Sequence, residues 1–419
     1  THYQVSSVQF IMTSLTVVIP AYNEESGIAA IARRVLAVRD DLARIGVDEL
    51  ELLVVDDGSA DRTAAIVSAL DGVCLIRHPR NRGYGAALKT GFSQAKGELI
   101  GFLDADGTYP PEYFPALCAP LLNGSELAIG SRMAGAESQM PATRRLGNRF
   151  FAGLLSLLTN QHVTDSASGM RVFKRELLDR IYPLPDGLNL TPVMSTRAIH
   201  EGVRIVEVPI PYSERLGRSK LSVVHDGSLF LRSMIWTVLA YNPVRILGAI
   251  GLGGVALGVL AALGLLVARL GGRTTLSPLE VAALFVGMVA GVIGISIFSL
   301  GITFNYLVSL FYEQPIRQGL FGRPVFKTPL ESHFWWLGAL AFLAGGGVGV
   351  ASLALSLNGW EMTRLWLYLS GSAMLMLVGV QLVVFWVLAR ILGELSHRGK
   401  TAGHTLPEST APAGVVGGA

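Results

Sequence analysis

From residue 15 to about residue 106, short apolar runs alternate with stretches of helical periodicity. LTVVIPAY (15–22) is an apolar run that ends in a loop, and EESGIAAIARRVLAVRDDL (24–42) places its apolar residues at helical spacing. ELLVVDDG (51–58) is a second run, closed by acids, and SADRTAAIVSAL (59–70) predicts a helix with Ser59 as its N-cap. VCLIRHP (73–79) and ELIGFLDAD (98–106) predict two more strands, with GYGAALKTGFSQA (83–95) as the helix between them. This alternation predicts an α/β domain whose mostly parallel sheet is covered on both faces. Such sheets bind ligands beyond the carboxyl ends of their strands.

Past residue 225 the pattern changes. Ile246–Ala268, Val281–Tyr312, Phe334–Trp360 and Leu365–Ala389 are long apolar segments without a charged residue. A helix needs about 20 such residues to cross about 30 Å of hydrocarbon, so each is long enough to span. A buried helical core in a soluble protein is the alternative, and four segments in succession argue against it. Gly251–Val255 and Gly287–Gly291 carry the small-xxx-small spacing that lets helices approach closely in lipid.

Composition sharpens the division. The chain has 419 residues, 51% hydrophobic and only 16% charged, yet 24 of its 34 Lys and Arg and 25 of its 31 acids precede Ala240. A polar front half is joined to an oily back half. The expected boundaries are an N-terminal extension (1–14), an α/β domain (15–225), a juxtamembrane interfacial helix (226–243), a four-helix membrane domain (244–392, with spans near 246–268, 281–311, 334–358 and 365–390) and a disordered tail (393–419). Arg232 and Arg245 precede the first span, Arg317, Arg323 and Lys327 lie between the second and third, and Arg390, Arg398 and Lys400 follow the fourth. The opposite loops hold Arg269, Arg273 and Arg364. This bias predicts a cytoplasmic front half and tail. Residues 1–12 lack the charged start and apolar core of a signal peptide. Cys74 and Cys118 suggest no disulfide framework, which suits a reducing compartment.

The candidate chemistry sits at strand ends. Pro20–Glu24, Asp56 with Asp57, and Asp104–Asp106 each follow an apolar run, so they converge on one rim. Any one of them alone reads as an ordinary turn or helix cap; the three together point to a site. No GxGxxG follows the first strand and no GxxxxGK[ST] occurs, which speaks against a dinucleotide site and a P-loop nucleotidase. Two carboxylates one residue apart suit Mg²⁺ or Mn²⁺ sharing its coordination with a nucleotide diphosphate. Arg132 in IGSRM, Arg171 in SGMRVF, and Arg215, Arg218 and Lys220 in ERLGRSK are candidates for the charge on that diphosphate, or solvated surface. RRLGNRFFAGLLSLL, from Arg144, mixes cations with an apolar run; it predicts an amphipathic helix lying at a membrane interface or one facing the core. SLFLRSMIWTVL, before Tyr241, is a second interfacial candidate.

VIPAYNE, VVDDGSADRT, RNRGYGAALKTGF, FLDADGTYPPE, GSRM, DSASGMRVF and ERLGRSKL occur in the order characteristic of family 2 glycosyltransferases of the GT-A fold. Within that family the chain resembles the dolichol- or polyprenyl-phosphate hexose synthases from about Leu15 to Val224. The resemblance implies a Rossmann-like GT-A catalytic domain ahead of a four-helix transmembrane domain. It assigns Pro20, Tyr22, Glu24, Asp57, Lys89 and Asp104 to the donor, and Asp104 and Asp106 to the metal and diphosphate. Arg132 borders the active-site opening. Arg215, Ser219 and Lys220, with Arg144 and Arg171, approach the acceptor phosphate, and Arg132, Arg215 and Lys220 join the two acids as catalytic residues. Several relatives of the mannose-synthase type carry a Gln metal ligand two residues after the second acid; this chain has Thr108, which leaves Thr108 as a third candidate ligand and puts that ligand in doubt.

The implied reaction is inverting transfer of mannose or glucose from GDP-mannose or UDP-glucose to the phosphate of a polyprenyl phosphate. It would run with Mg²⁺ or Mn²⁺ on the cytoplasmic face of a bacterial or archaeal plasma membrane. The implied partners are the nucleotide sugar, the lipid phosphate and the bilayer; a homo-oligomer is compatible and nucleic acid is not involved. A phosphate monoester, with a second pKa of about 6, is already ionised near neutrality. No general base is then required, and His200 and His225 need no catalytic role. A processive polysaccharide synthase is the alternative, but QPIRQ at residues 314–318 lacks the tryptophan of the Gln-x-x-Arg-Trp motif. A catalytically silent membrane scaffold is a second alternative.

Overall fold

The computed structural model describes residues 13–134, 140–213, 223–272, 277–311, 319–320, 330–360 and 362–404. The chain forms two compact units, Thr1–Val238 and Leu239–Ala419.

In the first unit the order is β1 (Thr13–Ala21), α1 (Ile28–Ala37), α2 (Arg39–Arg44), β2 (Val47–Asp56), α3 (Thr63–Ser68), β3 (Val73–Arg77), α4 (Tyr84–Gln94), β4 (Leu99–Phe102), α5 (Phe114–Leu122) and β5 (Leu127–Ser131). It continues through α6 (Ala142–Thr159), β6 (Arg171–Lys174), α7 (Leu177–Ile181), α8 (Leu190–His200) and β7 (Ile205–Pro209) to α9 (Val223–Tyr241), which runs into the second unit. Among the described residues the strands form one seven-stranded sheet in the order β3-β2-β1-β4-β6-β5-β7. Its neighbours pair in parallel except for β6, which runs antiparallel to both β4 and β5. The ends of β1, β2, β3, β4, β5 and β7 therefore share one rim with the beginning of β6.

Strand alternation fills both faces. Leu15, Val17 and Ile19 of β1 join α1, α2 and α5 in one core through Ile28, Val35, Leu42, Phe114 and Leu117. Val18, between them, faces the opposite core with Leu53 and Val55 of β2, Leu88 and Phe92 of α4, and Met194 of α8. Burying each such side chain stabilises the fold by about 1.5–3 kcal/mol, which is why consecutive residues of these runs are apolar, as in Val17, Val18 and Ile19, rather than every second one. Gly91 brings α4 onto β1: a Cβ there would lie 2.2 Å from Val18 Cγ1.

Several local expectations are corrected. The helix expected over 24–42 starts at Ile28 and divides at Val38 into α1 and α2. Ser59 caps no helix: α3 begins at Thr63, and the Ser59 hydroxyl accepts the Asn23 N–H at 2.9 Å instead. It is Asp61 that turns back on the start of α3, its Oδ1 accepting the Thr63 N–H at 2.9 Å. β4 ends at Phe102, so Asp104 and Asp106 stand in the loop beyond it.

The second unit holds α10 (Pro243–Leu270), α11 (Pro278–Phe311), α12 (Phe334–Leu357) and α13 (Met362–His404). Four segments, Pro243–Ala268, Pro278–Phe311, Leu330–Leu357 and Leu367–Leu395, are long and apolar enough to cross a membrane. They make the chain an integral membrane protein. Leu260, Leu270, Leu279 and Leu357 stand out from these helices, as lipid-facing side chains do and as a water-soluble surface rarely does. Glycines set the packing. A Cβ on Gly251, Gly254 or Gly258 of α10 would come within 2.6–2.8 Å of a carbonyl of Gly294, Ala290 or Gly287 on α11. α12 meets α13 in the same way at Gly338 and Gly379. Polar bonds cross between helices too: Ser296 donates to Gln381 Oε1 at 2.9 Å, and Ser372 to the Gly345 carbonyl at 2.7 Å.

Candidate active site

The rim of the sheet carries a cavity of about 390 Å³. Its polar lining comes from strand ends: Asp104 and Asp106 after β4, Arg132 after β5, and Tyr212 after β7. Tyr84 of α4 and Arg144 of α6 add to that lining, while Phe151, Leu188 and Phe230 supply an apolar wall.

Asp104 is held from two sides. The Tyr84 hydroxyl donates to Asp104 Oδ1 at 2.8 Å. Gly169 lies so close that a Cβ on it would stand 2.5 Å from Asp104 Oδ2, so only glycine leaves the carboxylate its room. The Gly169 N–H in turn donates to the Tyr109 hydroxyl at 2.7 Å. Asp106 is buried, and its Oδ1 accepts both the Thr108 N–H at 3.1 Å and the Thr108 hydroxyl at 2.6 Å. Thr108, itself buried, thus orients Asp106. Gly107 between them has φ 76°, a left-handed turn that favours glycine.

Arg132 is fixed by a partner that the sequence did not single out. Its Nε and Nη2 donate to Asp165 Oδ2 and Oδ1, both at 2.7 Å, and its backbone N–H reaches Oδ2 at 3.1 Å. Its guanidinium lies 5.7 Å from the centre of the Tyr109 ring and 5.6 Å from that of Tyr212, cation–π distances. Burial pushes the Asp165 carboxyl up, but the Arg132 charge and hydrogen bonds outweigh it and hold the group below the usual carboxylate range. Asn148 of α6 adds a donor to Asp165 Oδ1 at 3.0 Å. Glu207 of β7 accepts the Thr164 and Asp165 N–H groups and so steadies this loop. Arg144 donates from Nη1 to the Tyr212 hydroxyl at 3.2 Å.

Other expected site residues are placed elsewhere. Pro20 is buried at the end of β1, Tyr22 is 37% exposed and Glu24 is half-buried, all on the rim. This loop is stitched to the one after β2, where the Glu24 N–H donates to Thr63 Oγ1 at 2.9 Å. Asp57 faces inward: its two oxygens accept the Arg82 and Gly83 N–H groups at 2.9 and 2.8 Å, and His78 Nδ1 stands 2.7 Å from Oδ1. Lys89 Nζ donates to the Leu184 carbonyl at 2.9 Å and pairs with Asp186 at 2.6 Å, so it tethers the loop leading to Leu188 and is not among the cavity-lining residues. Arg171 is fully buried under the site, donating from Nε and Nη2 to the carbonyls of Ser168 and Ser166 at 3.0 and 2.8 Å. Burial lowers its pKa to about 10. It shapes the loop that presents Gly169 and does not line the cavity. Arg215, Arg218, Ser219 and Lys220 lie outside the described residues, but both flanks of that segment border the cavity. Tyr212 lines it on one side and Asp226 on the other, and the Ser213 N–H donates to the Thr108 carbonyl at 3.2 Å.

Tyr84, Tyr109, Asp165, Tyr212 and Asp226 were not singled out from the sequence. Three of them adjoin motifs that were: Tyr84 in RGYG, Tyr109 at the end of DGTY and Asp165 at the head of DSASG. Among the described residues no group of three or more His, Cys, Asp or Glu side chains is gathered for a metal. What the site offers is the pair of carboxylates.

On α6, Asn148, Ala152 and Leu155 turn inward, while Leu146, Phe150 and Leu157 are 71, 57 and 70% exposed. The helix thus carries an exposed apolar face as well as a core-facing one.

Comparison with known proteins bears on both units. Residues 16–182 match Glycosyl transferase family 2, and residues 243–403 match a domain of unknown function, DUF8752. A dolichyl-phosphate hexose transferase of Haloferax volcanii is 34% identical over 227 residues, which are 54% of this chain and 95% of that protein. An undecaprenyl-phosphate 4-deoxy-4-formamido-L-arabinose transferase of Pseudomonas aeruginosa is 33% identical over 263 residues, 61% of this chain and 74% of that protein. Among solved structures, glucosyl-3-phosphoglycerate synthase from Mycobacterium tuberculosis, in complex with Mn²⁺, UDP-glucose and phosphoglyceric acid, superposes with a TM-score of 0.44 at 23% identity, covering 54% of this chain and 80% of that one.

Proposed function

The chain belongs to the family 2 glycosyltransferases, and we propose that it transfers a hexose, mannose or glucose, from GDP-mannose or UDP-glucose to the phosphate of a polyprenyl phosphate. The observation that carries this reading is the shared cavity. Asp104 and Asp106 enter it beside Arg132 and Arg144, and it is lined as well by Tyr212 and Asp226, which stand on either side of Arg215 and Lys220 in the sequence. Relatives named for dolichyl- and undecaprenyl-phosphate transfer, together with the four candidate spans, support a lipid acceptor.

Asp104 and Asp106 fit a hard divalent cation. Mg²⁺ and Mn²⁺ take oxygen ligands, and Mg²⁺ typically uses one or two carboxylates and leaves its other positions to substrate phosphates and water. Gly169 preserves the space around one carboxylate and Thr108 orients the other. When bound, the ion neutralises charge that grows on the departing nucleoside diphosphate.

The chain's own residues do the rest. The rim loops hold the donor so that its anomeric carbon faces the acceptor. Arg132, already fixed by Asp165, needs no reordering before it meets an anion, and a preorganised cation of this kind lowers the cost of reaching the transition state. The lipid phosphate attacks the anomeric carbon with inversion as the diphosphate leaves. No side chain has to remove a proton from an ionised phosphate, so positioning and charge stabilisation suffice. The exposed apolar face of α6 suits contact with the bilayer interface where the phosphate headgroup lies. The distribution of Lys and Arg about the spans favours a cytoplasmic catalytic unit and C-terminus.

The test is to incubate purified full-length protein with polyprenyl-phosphate vesicles and a panel of labelled nucleotide sugars, with and without Mn²⁺ or Mg²⁺. Label moving into the lipid in a metal-dependent way is the expected result. Label growing into a polymer would favour the processive synthase instead, and no transfer from any donor would favour the silent scaffold.

A further inference from the structure

The first acid motif and the second are joined by an unbroken series of short contacts. Asp57 Oδ2 accepts the Gly83 N–H at 2.8 Å and Oδ1 accepts the Arg82 N–H at 2.9 Å, so this carboxylate fixes the turn that opens α4. Tyr84, the first residue of α4, follows directly, and its hydroxyl donates to Asp104 Oδ1 at 2.8 Å. Behind Asp57 lies His78, buried, with Nδ1 2.7 Å from Asp57 Oδ1 and Nε2 3.0 Å from Thr90 Oγ1. The turn has no slack on its other side. A Cβ on Gly83 would stand 2.6 Å from the Asp186 carbonyl, and one on Gly85 would stand 2.2 Å from the Pro185 carbonyl. Gly83 also has φ 103°, in the left-handed region.

We infer that Tyr84 is a positioning residue for Asp104, set in place by a partly buried chain running from Thr90 and His78 through Asp57 and Gly83. The inference rests on the reading of Asp104 as a metal-side carboxylate. A carboxylate that must be ordered when the ion arrives binds it less well than one already ordered. Partners that orient metal ligands are typically worth 10–100-fold in metal affinity or activity. Tyr84 confines one oxygen of Asp104, while Gly169 leaves room beside the other, so part of that ordering precedes the ion. Both Asp57 oxygens accept contacts within the protein, which gives this acid a structural task beside the donor contact expected of it.

Tyr84→Phe removes one oxygen and leaves the ring. Mn²⁺ binding is measured by paramagnetic resonance on purified full-length protein with saturating UDP and, separately, with GDP. Half-saturation should rise about 10-fold or more, while the unfolding midpoint without metal falls by no more than about 4 °C. Unchanged Mn²⁺ binding in Tyr84→Phe, where Asp104→Ala loses it, overturns the inference and leaves the metal reading intact. Equal binding by wild type and Asp104→Ala takes away the metal reading, and this inference with it. The chain itself is tested by His78→Gln. Its loss in Mn²⁺ affinity should not multiply with that of Tyr84→Phe in the double variant, because both act through one carboxylate. Losses that multiply would remove His78 from the chain.

Discussion

Arg132 grips both oxygens of Asp165, Nε to Oδ2 and Nη2 to Oδ1, each at 2.7 Å. Both side chains are largely withdrawn from water. A pair of this kind adds little net stability relative to an apolar pair, yet removing one partner strands the other charge at a cost of about 3–5 kcal/mol. Its value to the site is orientation.

Asp165→Asn should therefore cost stability and turnover together. The folded pKa of Asp165 lies below its unfolded value, so the stabilisation is present above that unfolded value, about 3.9. It is lost as pH falls through the folded one. Wild type should lose this contribution below about pH 4 and Asp165→Asn should not. Unfolding midpoints of both proteins, recorded in detergent across that range, give the comparison. Parallel curves would mean that Arg132 does not stabilise the carboxylate.

Asp106→Asn should lower sugar transfer by about 100-fold or more while the protein still folds, because a carboxamide is a poor ligand for a hard cation. Thr108→Val should act in the same direction but less, about 10-fold in the metal needed for half activity, since it removes the hydroxyl and keeps the backbone donor. Transfer rates across a Mn²⁺ and Mg²⁺ titration report both. Metal-independent wild-type activity would sink the assignment of the two acids.

Arg171→Met separates two readings of one arginine. A structural role predicts a midpoint lower by several degrees, since the Ser166 and Ser168 carbonyls lose their donor at about 1–3 kcal/mol each. Half-saturation in polyprenyl phosphate should stay as in wild type. A raised half-saturation with an unchanged midpoint would return Arg171 to the acceptor phosphate.

Arg215→Lys should impair transfer despite keeping the charge, because a planar fork holds two phosphate oxygens and an ammonium cannot. The loss should appear in the acceptor curve if Arg215 binds the ground-state lipid phosphate. It should appear in the maximal rate if Arg215 steadies the departing diphosphate. Saturation curves in lipid phosphate and in nucleotide sugar distinguish the two. Curves identical to wild type in height and midpoint would make Arg215 a surface residue.

The architecture was legible because burial on both faces leaves an unmistakable trace. Val17, Val18 and Ile19 are apolar in succession because adjacent residues enter different cores. The acids were legible for a related reason, since charges that close such a run stand at the rim. Roles were less legible than positions. Asp57 and Arg132 belong to the motifs expected of a substrate site, but what each one touches depends on residues far away in sequence. Asp57 meets His78, 21 residues on, and Arg132 meets Asp165, 33 residues on. Helix starts were misread where a hydroxyl had two uses: Ser59 has the chemistry of a cap and serves the loop after β1.

The reversed strand β6 has a consequence for biosynthesis. Run backwards between β4 and β5, it lets the chain enter the rim at Gly169 where its neighbours leave it. The glycine that leaves Asp104 its room is made 65 residues after it (169 − 104). At about 5–20 residues per second that interval lasts roughly 3–13 s. Through it the β6-facing edge of β4, Leu99–Phe102, lacks its partner, and an open apolar edge invites pairing with other chains. A slow codon or a stall between residues 106 and 171 would prolong that exposure, so the rate of synthesis over this interval should bear on the yield of correctly folded, membrane-inserted protein.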